Sequence, residues 1–191
     1  QALAPLILAA PYLSSYLTEK TNGFRLFCVS RKGNRKYVFQ KALAIALSGT
    51  AVLAFSEMVF AVLTGLRTEH DTSAEFMQGI VTFREDFFLG NPMLYFVLVY
   101  VSHIVYYFCF LIFAMGITSF FKSRIAVMAA PFLVMSVLDI ALPVALQPNA
   151  VMRPYYREFC FGGYGALVGL YLVVGFILLM VSEKFYQKRG N

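Results

Sequence analysis

Long, almost charge-free apolar segments constrain this chain more than any other feature. There are five of them, at about 1–17, 42–66, 93–121, 125–146 and 163–182. A helix needs about 20 apolar residues to cross the hydrocarbon core of a bilayer. Only helices and closed barrels satisfy their backbone polar groups in lipid, and these segments lack the alternating pattern of barrel strands. The sequence therefore predicts an all-α, polytopic transmembrane helical bundle in which residues 1–191 form a single membrane domain.

The overall composition excludes the common classes of soluble protein. The chain is 60% hydrophobic and only 14% charged, whereas soluble domains are about 45–50% apolar and about 25% charged. A soluble core could not bury this much apolar surface, so lipid must solvate much of it. Soluble enzymes and nucleic-acid-binding proteins are therefore poor explanations of the sequence.

The distribution of charge predicts the orientation of the spans. The segments 18–41, 122–124 and 183–191 together hold 12 of the 16 lysines and arginines. The intervening outer segments, 67–92 and 147–162, hold four arginines and six acids. Lysine and arginine concentrate in cytoplasmic loops, so the three basic segments are predicted to face the cytoplasm. Anchoring to an anionic inner leaflet accounts for them, and no nucleic-acid partner is expected.

The segment 18–41 contains more than polar loop residues. Phe24, Phe27 and Cys28 share one face at helical spacing, and Lys32-Gly33-Asn34 is a turn signal. This pattern predicts a short amphipathic helix and a turn before the second apolar segment. Such a helix could serve only as an interfacial anchor.

The order of residues in this segment resembles the first cytoplasmic loop of ABC-transporter permeases of the type-two class. That loop carries a Glu, a Gly, a basic residue and Leu, then Ser-Arg, a further Arg and a Lys. The matching residues here are Glu19, Gly23, Arg25, Leu26, Ser30, Arg31, Arg35 and Lys41. The Pro that is frequent near the Ser-Arg pair in that family is absent. The family has six spans, so the resemblance implies that a first span precedes residue 1 of this sequence.

The resemblance also implies a function and partners. Such permeases are multi-pass proteins of the cell membrane, here expected in a bacterial inner membrane, and they pair with a second permease copy or homologue. Two cytoplasmic ABC ATPase subunits bind to a coupling helix, here at about 19–31. The residues expected to take part in ATPase coupling are Glu19, Gly23, Phe24, Arg25, Phe27, Arg31 and Arg35. The exported substrate would be a peptide, an antimicrobial or another lipophilic compound.

No nucleotide site of its own is expected in this chain. The sequence has no GxxxxGK[ST] phosphate loop, so ATP and Mg²⁺ would bind to the partner ATPase and the permease would not be an enzyme. No metal site or other cofactor is expected either.

Three ionisable residues lie within predicted spans, namely Glu57, His103 and Asp139. Charged groups in hydrocarbon cost at least about 2.5–3.5 kcal/mol on insertion scales and usually face a protein interior or water. Their similar depths allow two interpretations. They form one polar cluster on an outward-facing cavity, or they make separate hydrogen bonds between helices. The same residues leave open two alternatives to an ABC permease, a proton-coupled transporter that does not use ATP and a membrane-embedded enzyme.

The last predicted span contains a pair of small residues, Gly165 and Gly169. Small residues spaced four apart allow another helix to approach closely. The pair therefore permits close helix packing near the start of this span.

The predicted orientation can be tested by labelling single cysteines in a variant whose native cysteines are replaced by serine. Because Lys36 is predicted to be cytoplasmic, K36C should react with a membrane-impermeant maleimide only after the membrane is opened. E75C, in an outer segment, should react in intact cells. Labelling of K36C from outside intact cells would contradict the predicted topology.

Overall fold

The computed structural model describes residues 4–67, 91–151 and 161–189. All regular elements in these ranges are helical, which confirms the all-α prediction. In chain order they are α1 (Ala4–Thr21), α2 (Phe24–Lys32), α3 (Asn34–Arg67), α4 (Pro92–Thr118), α5 (Arg124–Ala141), a 3₁₀ turn (Val144–Leu146), α6 (Pro148–Val151) and α7 (Phe161–Arg189).

Four of these helices are long and apolar enough to cross a membrane. Their apolar stretches are Asn34–Leu63, Met93–Thr118, Arg124–Ala141 and Phe161–Ser182. They correspond to the second to fifth predicted spans, and they give the chain the architecture of a multi-pass membrane protein. The first predicted span overlaps α1, which is not among the four, and residues 1–3 lie outside the described ranges.

Some helices differ in length from the predicted spans because their ends are set by local chemistry. α3 begins at Asn34 rather than at residue 42, since the basic residues before position 42 are good helix formers that water can solvate. α5 ends at Ala141 rather than at residue 146. Leu142 there is extended and precedes Pro143, and a residue before proline disfavours the helical conformation. Most of the two predicted outer segments, at 68–90 and 152–160, lies outside the described residues.

α4 lies at the centre of the bundle. It packs most extensively against α7 and α3 and also contacts α5 and α1. All of its residues from Cys109 to Gly116 are buried. The outer half of α3 is exposed on most sides, as expected for a helix at the lipid-facing periphery.

The contacts define which helix ends lie together. Leu111 of α4 meets Gly49 of α3, while His103 meets Glu57, so these two helices are antiparallel. The Lys20 ammonium donates to the Ser119 carbonyl oxygen, which places the end of α1 beside the end of α4. α2, the start of α3 and the start of α5 lie at the same end. We call this the basic end, because it carries the segments 18–41 and 122–124.

A glycine contact joins α4 to α7. These helices run parallel, since Tyr164 bonds to Ser102 and Gly175 meets Gly116 further along. A Cβ added to Gly116 would lie 2.8 Å from the Gly175 carbonyl oxygen, and one added to Gly175 would lie 2.9 Å from the Phe113 Cα. Only glycine fits at these positions without moving a backbone.

The glycine pair singled out in the sequence is not the one that makes this contact. A Cβ added to Gly165 or to Gly169 would have no neighbour within 4 Å among the described residues. Among the described residues, α7 comes into close contact at Gly163, which meets the Ala145 carbonyl oxygen, and at Gly175, which meets α4.

Gly175→Val should destabilise the bundle by about 1–3 kcal/mol, because the added atoms force the backbones of α4 and α7 apart. Thermal unfolding of the detergent-solubilised chain measures the effect. Gly169→Val, on the same helix but facing open space, is the matched control and should have a much smaller effect. Equal losses for the two variants would contradict the packing of α4 against α7.

Candidate functional site

α2 is a separate short helix because a glycine bounds it at each end. Gly23 has φ 72° and Gly33 has φ 78°, in the left-handed region that L-residues other than glycine rarely adopt. Each glycine ends one helix and redirects the chain into the next. The predicted coupling helix at about 19–31 is therefore divided, with residues 19–21 in the last turn of α1, residues 22 and 23 between the helices and residues 24–31 in α2.

The outer face of α2 is apolar and basic. Phe24, Leu26 and Phe27 are exposed, and Leu26 is 75% exposed. The Arg31 guanidinium lies over the Phe27 ring, 4.4 Å from its centroid, at a distance typical of a cation–π contact. Large apolar side chains exposed together on one short helix are typical of a docking surface or of contact with lipid headgroups.

The inner face of α2 holds the helix against the bundle. Arg25 is buried, and its Nη2 donates to the Asn34 Oδ1 at 3.1 Å. Cys28 and Val29 are half-buried beside the hydrophobic core. Arg25 thus positions α2 against the start of α3 rather than facing outward.

Glu19 also makes internal contacts. Its carboxylate accepts a hydrogen bond from the Tyr37 hydroxyl at 2.6 Å and forms an ion pair with Lys41 at 2.5 Å. These bonds tie the end of α1 to the start of α3.

Lys20 lies at the basic end, next to Glu19 and its bonds to α3. Its ammonium donates to the Ser119 carbonyl oxygen at 2.9 Å. Burial, together with the positive charges of Arg25 and Lys122, lowers the pKa of Lys20 to about 8. α1, α2 and the segment that follows α4 thus come together around the Lys20 ammonium, which lies near other positive charges.

The seven predicted coupling residues therefore fall into two groups. Phe24, Phe27, Arg31 and Arg35 are exposed, whereas Glu19, Gly23 and Arg25 shape or anchor the segment. Leu26 is not among the coupling residues predicted from the sequence, although it is the most exposed apolar residue of α2. Its position on the outer face depends on how α2 rests on α3, which helical periodicity alone does not give.

Within the membrane-crossing helices, the structure pairs Glu57 with His103. The Nδ1 of His103 lies 3.2 Å from the Glu57 Oε2, and the Tyr107 hydroxyl donates to Oε1 at 3.3 Å. Both oxygens of this carboxylate thus have a partner on α4. Sequence reasoning had not singled out Tyr107 as a polar partner, although it follows His103 by one helical turn.

Asp139 belongs to a different contact. Its carboxylate accepts hydrogen bonds from the backbone N–H of Asn149 at 2.9 Å and from the Asn149 side-chain amide. These bonds hold the short helix α6 against the end of α5. Of the three predicted intramembrane residues, the structure brings two together and places the third in a helix-end contact.

The comparisons with known proteins and the search for metal sites are both negative. No family model, curated protein or solved structure matches this chain. Within residues 4–67, 91–151 and 161–189, no group of three His, Cys, Asp or Glu side chains is placed to hold a metal ion. The function must therefore be inferred from the geometry of α2 and of the Glu57–His103 pair.

A double-mutant cycle tests the pairing of Glu57 with His103. E57Q, H103A and the double variant should show non-additive losses of thermal stability, with a coupling energy of about 0.6–1.7 kcal/mol, as for polar pairs in membranes. D139N combined with H103A is the control and should be additive, since Asp139 bonds to Asn149. Additivity in the E57Q–H103A cycle would show that the two side chains act independently.

Proposed function

We propose that this chain is the membrane-spanning permease subunit of an ATP-driven ABC exporter. The observation that carries the proposal is α2, a short helix at the basic end that is bounded by two left-handed glycines and exposes Phe24, Leu26, Phe27 and Arg31. A helix of this form suits docking into a groove of a cytoplasmic ATPase.

The contacts around α2 supply a route for mechanical coupling. Arg25 ties α2 to the first residue of α3, and Glu19 ties the last turn of α1 to Tyr37 and Lys41 of α3. A displacement of α2 would therefore move α1 and α3 with it. Such coupling needs contiguous packed elements between the two sites, and these bonds provide them.

The finer features of the proposal rest on the charge pattern and on what the resemblance to ABC permeases implies. They comprise five spans in this chain and six in the full-length protein, a cytoplasmic basic end, a bacterial inner membrane and a permease dimer. Two partner ATPase subunits would carry ATP and Mg²⁺, and the substrate would be a peptide, an antimicrobial or a lipophilic compound. The four membrane-crossing helices support the multi-pass part of this arrangement.

A second candidate function is proton-coupled transport that does not use ATP. The Glu57–His103 contact favours it, because paired acids and histidines within membranes can relay protons. The two candidates differ in their energy source. Export that follows ATP in the presence of an ATPase partner supports the first, and export that follows only a proton gradient supports the second.

The docking surface can be tested with the ABC ATPase expected to be encoded beside this chain. The double variant L26A/F27A should weaken co-purification of that ATPase at least about tenfold, since buried apolar contacts dominate binding energy. The matched control is L133A/I140A, which removes two exposed apolar side chains of α5. Equal association of both variants with the ATPase, or the lack of any associating ABC ATPase, would overturn the proposal.

A further inference from the structure

The Glu57 carboxylate is only partly enclosed by its partners. Each oxygen has one described hydrogen-bond partner, His103 or Tyr107, whereas a carboxylate can accept about four hydrogen bonds. The Glu57 side chain is 29% exposed and that of His103 is 12% exposed. One side of the pair therefore remains open at the surface of the described bundle.

This open side lies at membrane depth. Glu57 is six residues from the outer end of its apolar stretch at Leu63, or about 9 Å. His103 is ten residues from Met93, or about 15 Å. A carboxylate facing hydrocarbon there would be costly. The open side therefore favours contact with a cation or with water over contact with lipid tails.

Exposed aromatic side chains lie near the pair on the same face of α3 and α4. Phe60 follows Glu57 by three residues on the same face of α3 and is 72% exposed. Phe96 precedes His103 by seven residues, two turns outward on α4, and is also exposed. Between them the Tyr100 hydroxyl donates to the Ala54 carbonyl oxygen at 2.8 Å and holds the two helices together. This face of α3 and α4 thus combines one fixed acid with neighbouring aromatic side chains.

We propose that this face of α3 and α4 binds a lipophilic organic cation, with Glu57 as its counter-ion and His103 and Tyr107 holding the carboxylate in place. Aromatic rings attract such cations through their π faces and exclude water from the charge pair. A hard metal ion prefers six or more oxygen ligands, and the described residues offer no such group. As a statement about the exported substrate, the inference depends on the proposed transport function, but cation binding itself does not.

Equilibrium binding of tetraphenylphosphonium to the purified full chain in lipid nanodiscs tests the proposal. Tetraphenylborate, which has nearly the same shape and the opposite charge, controls for partition into lipid. The wild-type chain should bind the cation saturably and at least about tenfold more tightly than the anion. A tenfold ratio corresponds to about 1.4 kcal/mol, which one fixed charge contact can supply.

Three variants distinguish the effect of the Glu57 charge from an effect on folding. E57Q keeps the size of Glu57 but removes its negative charge and should lose the preference for the cation, whereas E57D keeps the charge and should retain it. D139N removes a different carboxylate within a membrane-crossing helix. Asn149 already donates hydrogen bonds to that carboxylate, so this variant should bind the cation like the wild type. Retained cation preference in E57Q, loss of preference in E57D, or equal binding of the two probes by the wild type would overturn the proposal.

The outcome is separate from that of the ATPase experiment. Cation binding is measured on the permease alone, so it can succeed when no ATPase associates, and ATPase docking can succeed when E57Q binds the cation normally. The first result would retain the binding site and reject the ABC assignment. The second would retain the assignment and reject the cation site.

Discussion

The lack of water in the bilayer core is the constraint on which the rest of the structure depends. Because hydrocarbon offers no hydrogen-bond partners, every backbone group at membrane depth must be satisfied within its own helix. This requirement produces the long helices α3, α4, α5 and α7. It also places most of the residues that change the direction of the chain at the helix ends. Gly33 lies directly before the start of α3, and Pro143 follows the end of α5. The same constraint makes each embedded polar side chain costly, so Glu57, His103 and Asp139 all have hydrogen-bond partners.

The sequence predicts the helical class and the approximate position of four membrane-crossing helices, because continuous apolar runs of that length have few other solutions. It also predicts a turn at Lys32-Gly33-Asn34, where Gly33 takes a left-handed conformation. Helix ends are less predictable. The solvated basic residues before position 42 extend α3, and the pattern of apolar residues does not record this extension.

Contacts between helices are the least predictable part. The sequence suggests that Glu57, His103 and Asp139 lie at similar depth, but depth does not say which helix faces which. Rotation of α4 about its axis brings His103 and Tyr107 to Glu57, while the break after α5 brings Asn149 back to Asp139. The inward position of Arg25 depends in the same way on how α2 rests against α3. Packing of this kind depends on several helices at once, and no local signal encodes it.

The unbroken course of α3 has a mechanical consequence. Its 34 residues form one rod about 50 Å long, with α2 attached at one end and Glu57 about 35 Å away along the axis. If the rod pivots about its basic end, a tilt of only about 5° displaces Glu57 by about 3 Å. That displacement is comparable with the whole Glu57–His103 separation of 3.2 Å. A small rotation of α3 near Gly33 would therefore be enough to make or break the contact between Glu57 and His103.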